Sequence, residues 1–162
     1  MQKIRIIAMG KLTEKYTRDA AADYIGRIAR RFDVTVVEPK PEPLSQNPTA
    51  AEIKNALETE EKRIRAEIPP RAYVAAMCVE GKQLSSDELA EIFARTASGE
   101  GGKNELCFII GSSHGLAEGL KKSADLRLSV SKMTFPHELF RVMLLEQVYR
   151  AGEINAGTRY HK

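Results

Sequence analysis

Apolar residues along this chain come in short strand-like runs, and between the runs they recur at helical spacing among charged residues. Ile4, Ile6, Ile7 and Met9 predict a first strand, ended by Gly10 and Lys11. A helix is expected from Thr13, with Tyr16, Ala20, Tyr24, Ile28 and Phe32 along one stripe, and the β-branched residues of 34–38 predict a second strand. Pro39, Pro41, Pro43 and Pro48 then exclude both helix interior and central strand, so this segment is a surface connection. Thr49 followed by Glu52 has the form of a capping box for a charged helix with Ile53, Leu57, Ile64 and Ile68 on its apolar stripe, stopped by Pro69 and Pro70.

Residues 73–79 form an apolar run, expected to be a buried strand that gives way at Glu80, Gly81 and Lys82. Ser85 with Glu88 repeats the capping box before a helix carrying Leu89, Ile92 and Phe93, which the glycines of 99–102 break. A fourth strand at 106–110 runs into Gly111, Ser112, Ser113, His114 and Gly115, and a short helix at 116–122 follows. Leu126, Leu128 and Val130 alternate with Arg127 and Ser129 at the strand period, and beyond Pro136 the spacing becomes helical. In that last helix Leu139, Phe140, Val142, Met143, Leu144, Leu145, Val148 and Tyr149 point in nearly all directions, which predicts cover on both sides. The chain's own sheet supplies one side and a second copy of the protein is the natural cover for the other; a central core helix in a monomer fits the pattern equally well.

Strands alternating with helices predict an α/β fold, a mainly parallel sheet with helices on both faces. A chain of 162 residues with 43% hydrophobic content is expected to form a single domain over 1–162. Ligands in such sheets bind beyond the carboxyl ends of the strands. That rule selects Glu80 to Lys82, Gly111 to Gly115 and the polar segment Ser131, Lys132, Met133, Thr134, Phe135, Pro136.

A net charge of +3 is too small to demand a nucleic-acid partner, although Arg27, Arg30 and Arg31 cluster, and Arg159, His161 and Lys162 place cations at the end of the chain. Cys78 and Cys107 lie in apolar runs and read as reduced structural thiols. The apolar N-terminal strand and the absence of a membrane-length apolar run lead to the expectation of a cytoplasmic protein with no membrane partner.

G-x-G-x-x-G, the Walker pattern, HExxH and paired CxxC are all missing, so nucleotide hydrolysis and zinc chemistry have no support, and no metal is expected. His114 and His137 are more simply surface or capping residues than bases, and Ser129 and Ser131 lie outside any G-x-S-x-G. Glu138 and Glu146 are read as helix partners of Arg141 and Arg150.

Taken together, Ile6 through Leu12, the loop from Phe108 to Leu116, the block from Leu128 to His137, the helix segment from Arg141 to Arg150, and the ending Tyr160, His161, Lys162 resemble the 23S ribosomal RNA pseudouridine N3-methyltransferases of the SPOUT superfamily. The resemblance spans essentially the whole chain; Ser112 and His114 depart from it, standing where the family commonly has a second glycine and then Asn or Asp. It implies a SPOUT-type fold with a C-terminal trefoil knot, which chain rules alone would exclude. It also implies S-adenosyl-L-methionine as cofactor, a homodimer, and methylation of N3 of a pseudouridine in the helix 69 loop of 23S rRNA, on the assembled 70S ribosome. The family's cofactor contacts carry over to Met77, Gly111, Val130, Ser131, Lys132, Met133, Thr134 and Phe135. Arg141, Tyr160 and His161 are the expected catalytic residues, orienting or deprotonating the base. A different small-molecule α/β enzyme and a non-enzymatic ribosome-associated module remain as alternatives; cofactor binding separates them.

Overall fold

The computed structural model describes residues 1–161. Five parallel strands, β1 (Gln2–Ala8), β2 (Phe32–Val37), β3 (Ala72–Gln83), β4 (Glu105–Ile110) and β5 (Leu126–Ser129), form one sheet in the order β2-β1-β4-β3-β5. Among the described residues five α-helices connect and cover them: α1 (Lys15–Ile28), α2 (Ala50–Glu67), α3 (Ser86–Ala97), α4 (Glu118–Ser123) and α5 (His137–Asn155). Because side chains alternate along each strand, the interior strand β1 sends Ile4, Ile6 and Ala8 to one face and Ile7 to the other. The first face packs against α1, α3 and α5 through Ala21, Phe93, Leu144, Leu145 and Val148; the second packs against α2 and α4 through Ile64 and Leu120. The expectation of a parallel sheet with helices on both faces is met.

Both capping boxes are present, Thr49 with Glu52 at α2 and Ser85 with Glu88 at α3, each satisfying orphan N–H groups at the helix start. Two expectations need correction. The buried stripe of α1 is Thr17, Ala21 and Ile28; Tyr16 is exposed, and Phe32 is the first residue of β2, where its ring meets Phe93 edge-on at 5.5 Å. The segment at Glu80, Gly81 and Lys82 is not the end of its strand: β5 pairs first with Ala75 to Met77 and then with Lys82 and Gln83, so Cys78 to Gly81 bulge out between the two pairings. A Cβ on Gly81 would lie 2.8 Å from the backbone of Arg127 and Leu128, so only a bare Cα lets β3 return to β5 there.

Helix α5 lies over the sheet with Arg141, Leu144, Leu145, Val148 and Ala151 buried. Among the described residues Leu139, Met143 and Tyr149 are only half-buried. The helix ends in a Schellman arrangement: Gly157 adopts φ +67°, its N–H donates to the Ile154 carbonyl, and the Thr158 N–H donates to the Glu153 carbonyl. This turns the tail back along α5.

Candidate active site

The carboxyl ends of β4 and β5 and the bulge within β3 meet around a cavity of about 270 Å3. Met77, Leu116, Val130, Phe135 and Phe140 supply apolar wall, and Ser113, Ser131, Thr134, Glu80 and Lys121 supply polar groups. The loop after β5 is held by its own hydroxyls: Ser129 Oγ donates to the Ser131 carbonyl at 2.8 Å, and Ser131 Oγ accepts from the Met133 N–H at 3.0 Å. A second cavity of about 360 Å3 lies beside the first, bounded by the start of α3 and by Met143, Leu144 and Glu146 of α5; the two share Met77, Ser129 and Val130.

Of the residues expected to hold a cofactor, Met77, Val130, Ser131, Met133, Thr134 and Phe135 line the first cavity. Lys132 is exposed on the same loop but is not part of the wall. Gly111 is buried behind the wall. A Cβ there would fall 2.3 Å from the Gly115 carbonyl oxygen, so what presses on it is the return of its own loop. That loop closes through the Gly115 N–H, which donates to the Ser112 carbonyl at 2.9 Å, and Ser113, His114 and Gly115 at its tip face the cavity. His114 and His137, read above as surface residues, are exposed and also line the cavity.

Cys78, Lys121 and Phe140 line it too, and nothing in their local sequence singled them out. Lys121 reaches it because α4 lies over the bulge in β3, which brings its ammonium to 2.6 Å from Glu80; Glu118, one turn earlier on α4, lies at the same distance. Burial works against that ammonium, but its hydrogen bonds to Glu118 and Glu80 outweigh burial and raise its pKa. The same contacts hold both carboxyls below the usual range. The Cys78 thiol is pushed up, first by burial and then by the nearby Glu80 charge, so it sits in the wall as a thiol.

The expected catalytic residues are not brought together. Arg141 is buried, forms an ion pair with Glu38 and donates to the Gly10 carbonyl at 2.7 Å; it clamps the ends of β1 and β2 instead of facing the cavity. Tyr160 and His161 meet a different arginine. The Tyr160 ring packs edge-on against Tyr149 at 4.8 Å and under the Arg150 guanidinium at 4.7 Å, and its hydroxyl donates to Glu146 at 3.2 Å. His161 Nδ1 lies 3.3 Å from Arg150, and Nε2 lies 3.3 Å from Asp87. Lys162 lies outside the described residues. Arg150 is also hydrogen-bonded to Glu146, the helix pairing expected from spacing, and that plain reading concealed its place beside the tail.

The family model described as "Predicted SPOUT methyltransferase" matches residues 2–161. The chain belongs to the SPOUT methyltransferase family. Relatives named Ribosomal RNA large subunit methyltransferase H run its full length: that of Bifidobacterium adolescentis is 44% identical over 160 residues, covering 99% of each chain. That of Bacillus pumilus is 40% identical over 159 residues, covering 98% of this chain and 99% of its own. A solved structure from work on the 2-OH methylation of C/U34 on tRNA shares the fold, with a TM-score of 0.50 at 14% identity, covering 96% of this chain and 98% of that one.

Proposed function

We propose that this chain is a ribosomal RNA methyltransferase of the large subunit, using S-adenosyl-L-methionine to methylate N3 of a pseudouridine in the helix 69 loop of 23S rRNA on the assembled ribosome. The observation that carries this reading is the end-to-end similarity, at 40% and 44% identity, to proteins named for large-subunit ribosomal RNA methylation. The cavity supports it, since an apolar slot with a few convergent polar groups at strand ends suits a nucleoside with an amino-acid tail.

When bound, S-adenosyl-L-methionine supplies an activated methyl group with a neutral thioether as leaving group. Met77, Val130 and Phe135 form the apolar seat, Ser131 and Thr134 offer hydroxyls, and Gly111 keeps the Gly-rich loop closed behind it. Lys132 is exposed on the same loop, outside the wall. Alignment is the main task of the protein, because an in-line displacement needs little acid–base machinery. The imide N3–H must still be lost, and the Arg150 cation beside Tyr160 and His161 favours the anion that attacks. Tyr160 and His161 orient the base, and Arg141 acts at a distance by fixing the Gly10 turn and the start of α5.

In this reading the protein works in the cytoplasm as a homodimer through the outer face of α5, with RNA across both subunits and the C-terminal segment threaded as a trefoil knot. Calorimetry with S-adenosyl-L-methionine, followed by mass spectrometry of helix 69 from 70S ribosomes incubated with enzyme and cofactor, tests it. Binding and a single added methyl on the pseudouridine are expected; a folded protein that binds no cofactor overturns it.

A further inference from the structure

Glu60, on α2, is buried with 3% of its surface exposed, yet no cation is paired with it among the described residues. Burying a carboxylate is costly unless hydrogen bonds replace its water. Two do. One oxygen accepts from the Glu42 N–H at 3.0 Å, and the other accepts from the Ser112 hydroxyl at 2.9 Å. Glu42 belongs to the proline-rich connection, which Arg63 holds through the Lys40 carbonyl and the Glu42 carboxylate. Ser112 is the base of the Gly-rich loop: its carbonyl receives the Gly115 N–H, and the intervening tip forms cavity wall. The carboxylate therefore joins a docked surface segment to the loop that shapes the cofactor cavity.

We propose that Glu60 is a positioning residue for the cofactor site, acting through Ser112 to hold the Gly-rich loop in its closed form. The proposal rests on the reading of the cavity as the S-adenosyl-L-methionine site. Glu60 lines neither cavity, so its effect on a ligand must pass through the loop. Ser112→Ala removes the hydroxyl with little change of volume and leaves a buried acceptor short of its donor. Without that tether the closed loop is one of several arrangements, and cofactor affinity falls by the fraction of time it is open.

The test measures S-adenosyl-L-methionine affinity by calorimetry and amide hydrogen exchange at Gly115, in the wild type, Ser112→Ala, Ser112→Thr, Glu60→Gln and the Ser112→Ala/Glu60→Gln double variant. Ser112→Ala is expected to weaken binding about five- to tenfold and to speed Gly115 exchange in the free protein, and Ser112→Thr, which keeps the hydroxyl, to restore both. The double variant should bind no more weakly than Ser112→Ala alone, because the route from Glu60 to the loop is already cut there and a change at Glu60 has nothing further to act through. A wild type that binds with Ser112→Ala unchanged in affinity and in Gly115 exchange overturns the positioning role alone. A wild type that binds no cofactor overturns the reading of the cavity and this role with it. Additive losses in the double variant also overturn it, since Glu60 would then act by another route.

Discussion

Gly81 and Gly111 both place a bare Cα against backbone, and the consequences differ with what that backbone carries. At Gly81 the neighbour is β5, whose end leads into the cavity loop, so Gly81→Val must push β5 away. A loss of about 1–3 kcal/mol of stability is expected in a denaturant titration, together with weaker cofactor binding. At Gly111 the neighbour is the Gly115 carbonyl, so Gly111→Val opens the loop from behind and should weaken cofactor binding in calorimetry more than it lowers the melting temperature. Glu138 makes a third residue-scale case. It accepts from the Thr13 hydroxyl and from the N–H groups of Thr13 and Glu14, capping α1 from another helix, since α1 has no side-chain cap of its own. These hydrogen bonds, led by that from the Thr13 hydroxyl, hold its pKa down to about 2. A depressed carboxyl stabilises the fold above its ordinary value and loses that contribution as pH falls through the folded value. Wild type should therefore melt above Glu138→Gln at neutral pH, and the gap should close between about pH 4.5 and 2. A constant gap over that range would show that the carboxylate charge is not what matters.

Elements were legible wherever the local chemistry decided them. Thr49 with Glu52 and Ser85 with Glu88 marked the starts of α2 and α3 because a capping box is a contact within four residues. The stripe of α1 was misjudged because its tyrosines suggested burial, whereas small Thr17 and Ala21 are what let α5 approach. Only tertiary contact could settle that. The same holds for α5, where the pattern predicted apolar residues on every side but could not say which side meets the sheet. Leu144 and Leu145 are each 1% exposed and belong to the chain's own core, so a charge at either would unfold the protein without testing self-association. The outer face carries Leu139 and Met143, half-buried and on the side of the helix away from Arg141 and Val148. The Leu139→Asp/Met143→Asp variant is expected to sediment as a monomer with an unchanged helical spectrum. A folded variant that remains dimeric would place the interface elsewhere.

For the molecule as a whole, the strand-end rule located the cavity from sequence, because a parallel sheet leaves its ligand-binding crevice at the carboxyl ends regardless of detail. It could not locate Cys78 or Lys121, which reach the cavity through a bulge in β3 and a return of α4. Nor could spacing choose between Arg141 and Arg150. Both stand three or four residues after a glutamate on one helix, yet only Arg150 pairs with its own, since Glu138 caps α1 and Arg141 turns to Glu38, and the path of the tail after Gly157 decides which cation stands beside Tyr160 and His161. That path gives the last prediction its form. The tail is anchored before its aromatic residues: Thr158 bonds the Glu153 carboxylate at 2.7 Å, and Arg31 pairs with the same glutamate. Deleting residues 160–162 therefore removes Tyr160 and His161 while leaving the helix end and the cavity wall intact. Cofactor affinity should be unchanged, and the dimer should persist. Methylation of ribosomes should fall, since a tyrosine stacked on a base contributes about 1–3 kcal/mol, and losing the orienting groups as well makes a fall in kcat/KM of at least about tenfold the expected result. Equal kcat/KM for the truncated and full-length proteins would mean that Tyr160 and His161 serve only to pack the end of the chain against α3 and α5.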